Sequence, residues 1–249
     1  MGRLPCDLAA CIGFYTRLPI RQCAGAPRGF AGASWASPLA GTVVGMAGAA
    51  ACLVAGTIGL PPLPASALAL AATMLVTGAL HEDGLADTVD GLGGGRTRER
   101  KLEIMRDSRL GTYGACALLL SLLLRWSALA ALADPATAAW ALVTSHAAGR
   151  AAIPAFMRFV PPARQDGLAA GAGTPSVAAS SASLGLGAVA LAAAGPAVLL
   201  IAAPLLLLWW LVLRRLALRQ VGGQTGDVLG CLEQGCEILL LLTIVAAWT

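Results

Sequence analysis

Residues 65–91 read ASALALAATMLVTGAL followed by HEDGLADTVDG, an apolar run that ends in His81, Glu82, Asp83, Asp87 and Asp90 within ten positions. The run approaches the ~20 residues a helix needs to cross a bilayer, so the carboxylates fall where it leaves the hydrocarbon. The rest of the chain agrees: 57% of its residues are hydrophobic, 12% are charged and the mean hydropathy is +0.76. A soluble domain carries about 25% charged residues. The sequence therefore predicts an all-α, polytopic integral membrane bundle whose partner is the lipid bilayer.

Seven spans are expected, at 37–59, 65–80, 114–133, 136–157, 180–194, 197–213 and 229–248. PPLP at 61–64, Asp134-Pro135 and the Gly195-Pro196 break supply short turns. With seven spans, Arg3, Arg17, Arg21 and Arg28, the six cations between Arg96 and Arg109, Arg158 and Arg164, and Arg214, Arg215 and Arg219 all fall on one side. The positive-inside rule makes that side cytoplasmic, with the N-terminus and every acid except Asp134. A single membrane-embedded domain is expected over 1–249, with a cytoplasmic arm at 1–36, an acidic region at 81–113 and a second cytoplasmic motif at 214–230. The stretch 167–183 reads as a flexible loop of small residues. The N-terminus lacks the pattern of a signal peptide, since Asp7 and Arg17 interrupt its apolar stretch.

The net charge of +4 is modest, and no nucleic-acid partner is expected. Spans rich in Ala and Gly favour close helix packing and invite homo-oligomers. The seven cysteines are scattered and form no C-x-x-C pair, which predicts neither a metal knuckle nor a disulfide framework.

Asp83, Asp87 and Asp90 stand at i, i+4 and i+7, within roughly 60° of one another on a helix. Three like charges on one face call for a cation among them, and oxygen-only donors select a hard one such as Mg²⁺. The bland alternative is a solvated acidic helix end balanced by the arginines that follow. Gly93–Gly95, Arg96, Arg98, Arg100 and Lys101 either receive an anion or serve as topogenic cations around a hinge. Asp227, at the start of the last span, is either a further site carboxylate or an ordinary N-terminal helix acid.

Within the spans, Glu237 must face protein or water, and Arg150 either pairs with an acid such as Glu237, contacts phosphate or snorkels. Arg125 has no partner evident in the sequence. His81 projects about 160° from Asp83 on a continuous helix, which argues against it as a base on that face. No aromatic-lined pocket is legible.

HEDGLADTVDG at 81–91, KLEIMRDSRLGTYG at 101–114 and GGQTGDVLG at 222–230 closely resemble the signatures of the cobalamin-5′-phosphate synthases, also called adenosylcobinamide-GDP ribazoletransferases. FYTRLPI at 14–20 and SPLAGTVVG at 37–45 resemble that family's start. The resemblance implies a Mg²⁺-dependent enzyme of the bacterial inner membrane that joins adenosylcobinamide-GDP to α-ribazole or its 5′-phosphate and releases GMP. It implies Asp83, Asp87, Asp90 and Asp227 as catalytic residues, with Asp90 or Asp227 as the base. Asp83, Asp87 and Asp90 would hold the metal, and Glu82, where many relatives have Leu, adds a candidate ligand. Lys101, Asp107, Ser108, Arg109, Arg150, Gln224 and Thr225 would bind substrate. Two other classes stay open: a lipid-forming CDP-alcohol phosphotransferase, whose D-G-x2-A-R pattern fails here at Asp87, and a cation-coupled transporter, which would need its acids near the midplane.

Overall fold

The computed structural model describes residues 3–23 and 29–248. Arg28, one of the cations used above to orient the chain, lies outside them. Among the described residues every regular element is helical: α1 (Arg3–Tyr15), α2 (Gly29–Ala33), a 3₁₀ turn (Ser34–Ala36), α3 (Ser37–Thr57), α4 (Pro62–Thr77), α5 (Leu80–Gly94), α6 (Arg98–Ile104), α7 (Thr112–Ala131), α8 (Pro135–Phe159), α9 (Leu168–Ala172), α10 (Val177–Ala193), α11 (Pro196–Gln220) and α12 (Gly226–Trp248).

Small residues set the packing. Gly41, Gly45 and Gly48 form one face of α3, and α8 lies so close to it that a Cβ on Gly45 would fall 2.6 Å from Val143 Cα. α10 packs on the other flank of α8, while α12 packs between α5, α7, α8 and α11. One apolar core gathers Leu70, Leu129, Leu142, Val198, Leu241 and Ile244. A second joins α1 and α2 to the ends of α8, α11 and α12 through Tyr15, Phe30, Phe156, Leu213 and Leu232. By contrast, α11 leaves Leu200, Leu207, Leu208 and Leu211 exposed, as a lipid-facing helix should.

The apolar run at 65–80 ends in a sharp corner. Gly78 (φ +66°) and Ala79 (φ +57°) both adopt the left-handed conformation, and α5 leaves α4 at 88°. A left-handed alanine is costly for an L-residue, so the surrounding contacts must hold it. Arg17 N–H donates to Val76 O (2.7 Å) at this corner.

Four helices are long and apolar enough to cross a membrane: Gly29–Thr57, taken through its 3₁₀ turn, α7, α11 and α12, with the bent α4–α5 pair as a fifth candidate. The chain is thus a helical membrane protein, with fewer helices meeting that measure than the seven spans expected. Among the helices outside that set, α10 has 17 residues, and α8 carries His146 and Arg150 through its centre.

Three sequence expectations are corrected. Much of 167–183 is helix, because Ser176 caps α10 by accepting from Ala179 N–H (3.1 Å). Residues 214–220 continue α11, since its end is still apolar on one face through Leu213 and Ala217. Cys6 and Cys23 form a disulfide with Cα atoms 5.6 Å apart. The fold of the arm back along α1 brings them together, which spacing in the sequence does not reveal.

Candidate active site

α5 crosses α12 where Gly84 meets Gly230. A Cβ on Gly84 would lie 2.8 Å from Asp227 O and 3.1 Å from Gly230 Cα, so hydrogen atoms alone let the two helices touch. That crossing brings Asp83 and Asp227 to one cavity of about 300 Å³, together with Arg164 from the segment after α8. Arg164 Nη2 lies 3.5 Å from Asp227 Oδ2, and both side chains are largely buried. Thr225 orients this carboxylate: its hydroxyl donates to Asp227 Oδ2 (3.0 Å) and accepts from Val228 N–H (3.2 Å). Asp87 stands beside the group, repelled by Asp83, Asp227 and Asp90 and attracted by Arg164.

Asp90 also joins two helices. Its two carboxylate oxygens accept from Gly111 N–H (2.7 Å) and Gly114 N–H (2.8 Å), tying α5 to the entry of α7. The glycines of GTYG are thereby explained, because a Cβ at either position would collide with the Asp90 carboxylate. Gly114→Val is expected to displace Asp90 and cost about 2 kcal/mol or more through overpacking and lost hydrogen bonds, read as a lowered Tm in detergent.

Other sequence candidates are scattered. Lys101 is buried and donates to Leu92 O (2.7 Å) and Gln220 Oε1 (2.6 Å), clamping α6 to the ends of α5 and α11. Arg98 likewise donates to Val221 O and Ala163 O, both at 2.9 Å. Lys101→Met should therefore act on stability, lowering Tm by several degrees for the ~1–3 kcal/mol lost with a charged hydrogen-bond donor. Asp107 and Arg109 form an exposed pair (2.6 Å), and the guanidinium that donates to it holds the Asp107 carboxyl down at about 2. Ser108 is exposed beside them. Gln224 is buried, with its backbone paired to Pro161 and Ala163, each at 2.8 Å.

Adjoining the cavity, and sharing His81 with its lining, lies a buried ionic network. Glu82 does not share the Asp83 face: one residue earlier, it points into the bundle, where Arg125 Nη1 sits 3.0 Å from Glu82 Oε1 and 3.2 Å from Glu237 Oε1. This supplies the partner for Arg125 that the sequence did not reveal. Arg150 pairs with Glu233 (2.6 Å) rather than with Glu237. His81 Nδ1 lies 3.2 Å from Glu233 Oε2 and 3.3 Å from Arg150 Nη2. Gln234 donates to Glu233 Oε2 (3.2 Å) and accepts from Ser121 Oγ (3.0 Å). His146, Glu233 and Glu237 have ligand-capable atoms within 4.8 Å of one another. However, Arg150 Nη1 is 3.0 Å from His146 Nδ1 as well as 2.6 Å from Glu233, so guanidinium charge already serves these acids.

In the sequence Arg164 reads only as a topogenic cation, and no aromatic pocket is legible there. Yet Phe14, Tyr15 and Phe30 line the cavity with Asp83 and Asp227. The chain has only four Phe and two Tyr, so their concentration near the N-terminus was the available signal.

Fold and site together define a helical membrane protein with converging carboxylates and an arginine in a nucleoside-sized cavity, the equipment of a phosphate-handling enzyme. Residues 7–245 match the family description Cobalamin-5-phosphate synthase, and the chain belongs to that family. It is 55% identical over 242 residues to the adenosylcobinamide-GDP ribazoletransferase of Bradyrhizobium diazoefficiens, covering 96% of this chain and 93% of that one. The protein of the same name from Mesorhizobium japonicum is 51% identical over 241 residues (97% and 93% covered). That from Azorhizobium caulinodans is 45% identical over 255 residues (98% and 97%). No solved structure matches the chain.

Proposed function

We propose that the protein catalyses the transfer named for its relatives, joining adenosylcobinamide-GDP to α-ribazole or its 5′-phosphate with release of GMP, the last assembly step of the nucleotide loop in cobalamin biosynthesis. The observation that carries the reading beyond family membership is the meeting of Asp83, Asp227 and Arg164 in one cavity with Asp87 beside them.

Phosphoryl transfer asks a protein mainly for positioning and charge neutralisation. A secondary ribose hydroxyl, free in both α-ribazole and its 5′-phosphate, attacks the phosphorus bonded to the corrinoid side arm, and the bond from that phosphorus to the GMP oxygen breaks. Asp227, steadied by Thr225, accepts the hydroxyl proton; Asp90 is less suited, since both its oxygens already accept backbone N–H bonds. Arg164 draws the diphosphate towards Asp227. Asp83 and Asp87 form an oxygen-only donor set crowded by like charge, which fits Mg²⁺, an ion commonly held by one or two carboxylates plus phosphate oxygens. Bound there, Mg²⁺ would supply positive charge to the diphosphate and the departing GMP. The buried ion pairs hold α5, α7, α8 and α12 in register beside these groups.

The acidic end faces the cytoplasm of the bacterial inner membrane in this reading, supported by the clustering of Lys and Arg with the acidic motifs. The test is GMP release by purified protein in nanodiscs supplied with both substrates. Mg²⁺-dependent release that is abolished by a chelator and restored by Mg²⁺ is expected. Chelator-insensitive release would sink the metal assignment, and no release from folded protein would sink the reaction.

A further inference from the structure

The cavity is chemically divided. Its charged and polar lining is Asp83, Asp227, Arg164 and His81, and its aromatic and apolar lining includes Phe14, Tyr15, Phe30, Ile153 and Met157. We propose that the aromatic part is the subsite for the base of the ribazole nucleoside, and that Phe14, Phe30 and Met157 set which bases are accepted. This rests on the transferase reading above and adds to it where one substrate sits and what selects it.

Three features carry the assignment. The first is size: a cavity of about 300 Å³ lies at the bottom of the range for small-molecule sites, roughly right for one nucleoside and too small for a corrin ring with its nucleotide. The second is shape. Phe14 and Phe30 stack with centroids 4.0 Å apart and planes 29° apart, and Tyr15 meets Phe30 edge-on at 5.6 Å. Together they form a rigid aromatic wall that can stack or edge-pack against a flat ring.

The third is polarity, which separates the two nucleosides the reaction handles. Guanine carries donors and acceptors around its edge, and a pocket that cannot pair them rejects it. The aromatic wall itself offers the Tyr15 hydroxyl, which already donates to Ser37 Oγ (3.2 Å), and beside it stands the His81 ring, 5.7 Å from that of Tyr15, whose Nδ1 is held by Glu233 and Arg150 and which leaves one ring nitrogen to meet a base. A benzimidazole base joined to ribose keeps a single free ring nitrogen and otherwise presents carbon. It matches this lining, and seating it there directs its ribose hydroxyl towards the carboxylate part. The guanosine and corrinoid portions of the other substrate then lie outside this cavity.

The experiment measures KM for α-ribazole and for adenosylcobinamide-GDP separately, by GMP release, in two variants that act oppositely on the cavity. Phe30→Leu removes aromatic wall, and Ala172→Phe fills the space from α9, where Ala172 also lines the cavity. Each is expected to raise KM for α-ribazole about tenfold, the scale of a lost aromatic contact, while KM for adenosylcobinamide-GDP stays within about twofold. Agreement between a deleting and a filling variant separates this effect from damage to the fold. A KM for α-ribazole that stays at the wild-type value in both variants overturns the subsite while leaving the transferase reading intact, because the same assay shows turnover. A rise confined to adenosylcobinamide-GDP overturns it as well and assigns the cavity to the other substrate. Wild-type protein that releases no GMP overturns the transferase reading itself, and the subsite with it.

Discussion

Asp83→Asn is expected to lower kcat/KM for GMP release by about 10³-fold or more, the scale seen when a group that stabilises transition-state charge is removed. Asn keeps the shape of Asp and loses its charge, so the α5–α12 crossing at Gly84 and Gly230 should stay intact and Tm should change little. Loss of a metal ligand also predicts partial rescue at high Mg²⁺ concentration, since a weakened site can still be filled by mass action. Activity within tenfold of wild type would show that Asp83 does not hold the metal and would move the charge chemistry to Asp87 and Asp227. Asp227→Asn gives the contrasting pattern: a comparable loss in kcat with no Mg²⁺ rescue, as expected of a proton acceptor.

Arg125→Met should be strongly destabilising. Arg125 is fully buried with Glu82 and Glu237 on one guanidinium nitrogen. Removing it leaves two carboxylates facing each other away from water, which costs about 3–5 kcal/mol. The companion Glu82→Gln should cost clearly less, because Glu237 remains to neutralise Arg125 and Gln still accepts a hydrogen bond. Thermal unfolding in detergent reads both. Equal losses in the two variants would mean that charge balance is not what the network supplies. Because α5 carries both Glu82 and Asp83, Arg125→Met should reduce activity in step with folded protein rather than through an altered Mg²⁺ requirement.

Local signals were legible where a helix repeat or a turn residue decides structure. The i, i+4, i+7 spacing of Asp83, Asp87 and Asp90 put them on one continuous helix, and the Gly195-Pro196 break did separate α10 from α11. Orientation within the face was less legible. Asp90 shares the stripe with Asp83 yet is captured by Gly111 and Gly114 N–H groups 21 and 24 residues away, a pairing that no helical period encodes. Lys101 and Arg98 read as either phosphate-binding or topogenic cations, and the fold sets them on carbonyl groups of Leu92, Val221 and Ala163. Charge in a sequence reports that a partner is needed, not which one the fold brings.

What the sequence by itself determined is what composition and short-range order decide: a helical membrane protein, an acidic helix entered from an apolar run, and a family signature spread from the N-terminal arm to α12. Membrane solvent enforces the first, because a backbone in hydrocarbon must satisfy its own hydrogen bonds. Only the tertiary structure decided that Glu82 turns inward to Arg125 while its neighbour Asp83 turns towards Asp227. It alone showed that Arg164 belongs to the site and that Phe14 and Phe30 wall the cavity. The approach of α5 to α12 that joins Asp83 to Asp227 is a backbone contact between helices distant in sequence, set by the absence of side chains at Gly84 and Gly230. A glycine records that something comes close; the folded chain alone identifies what does.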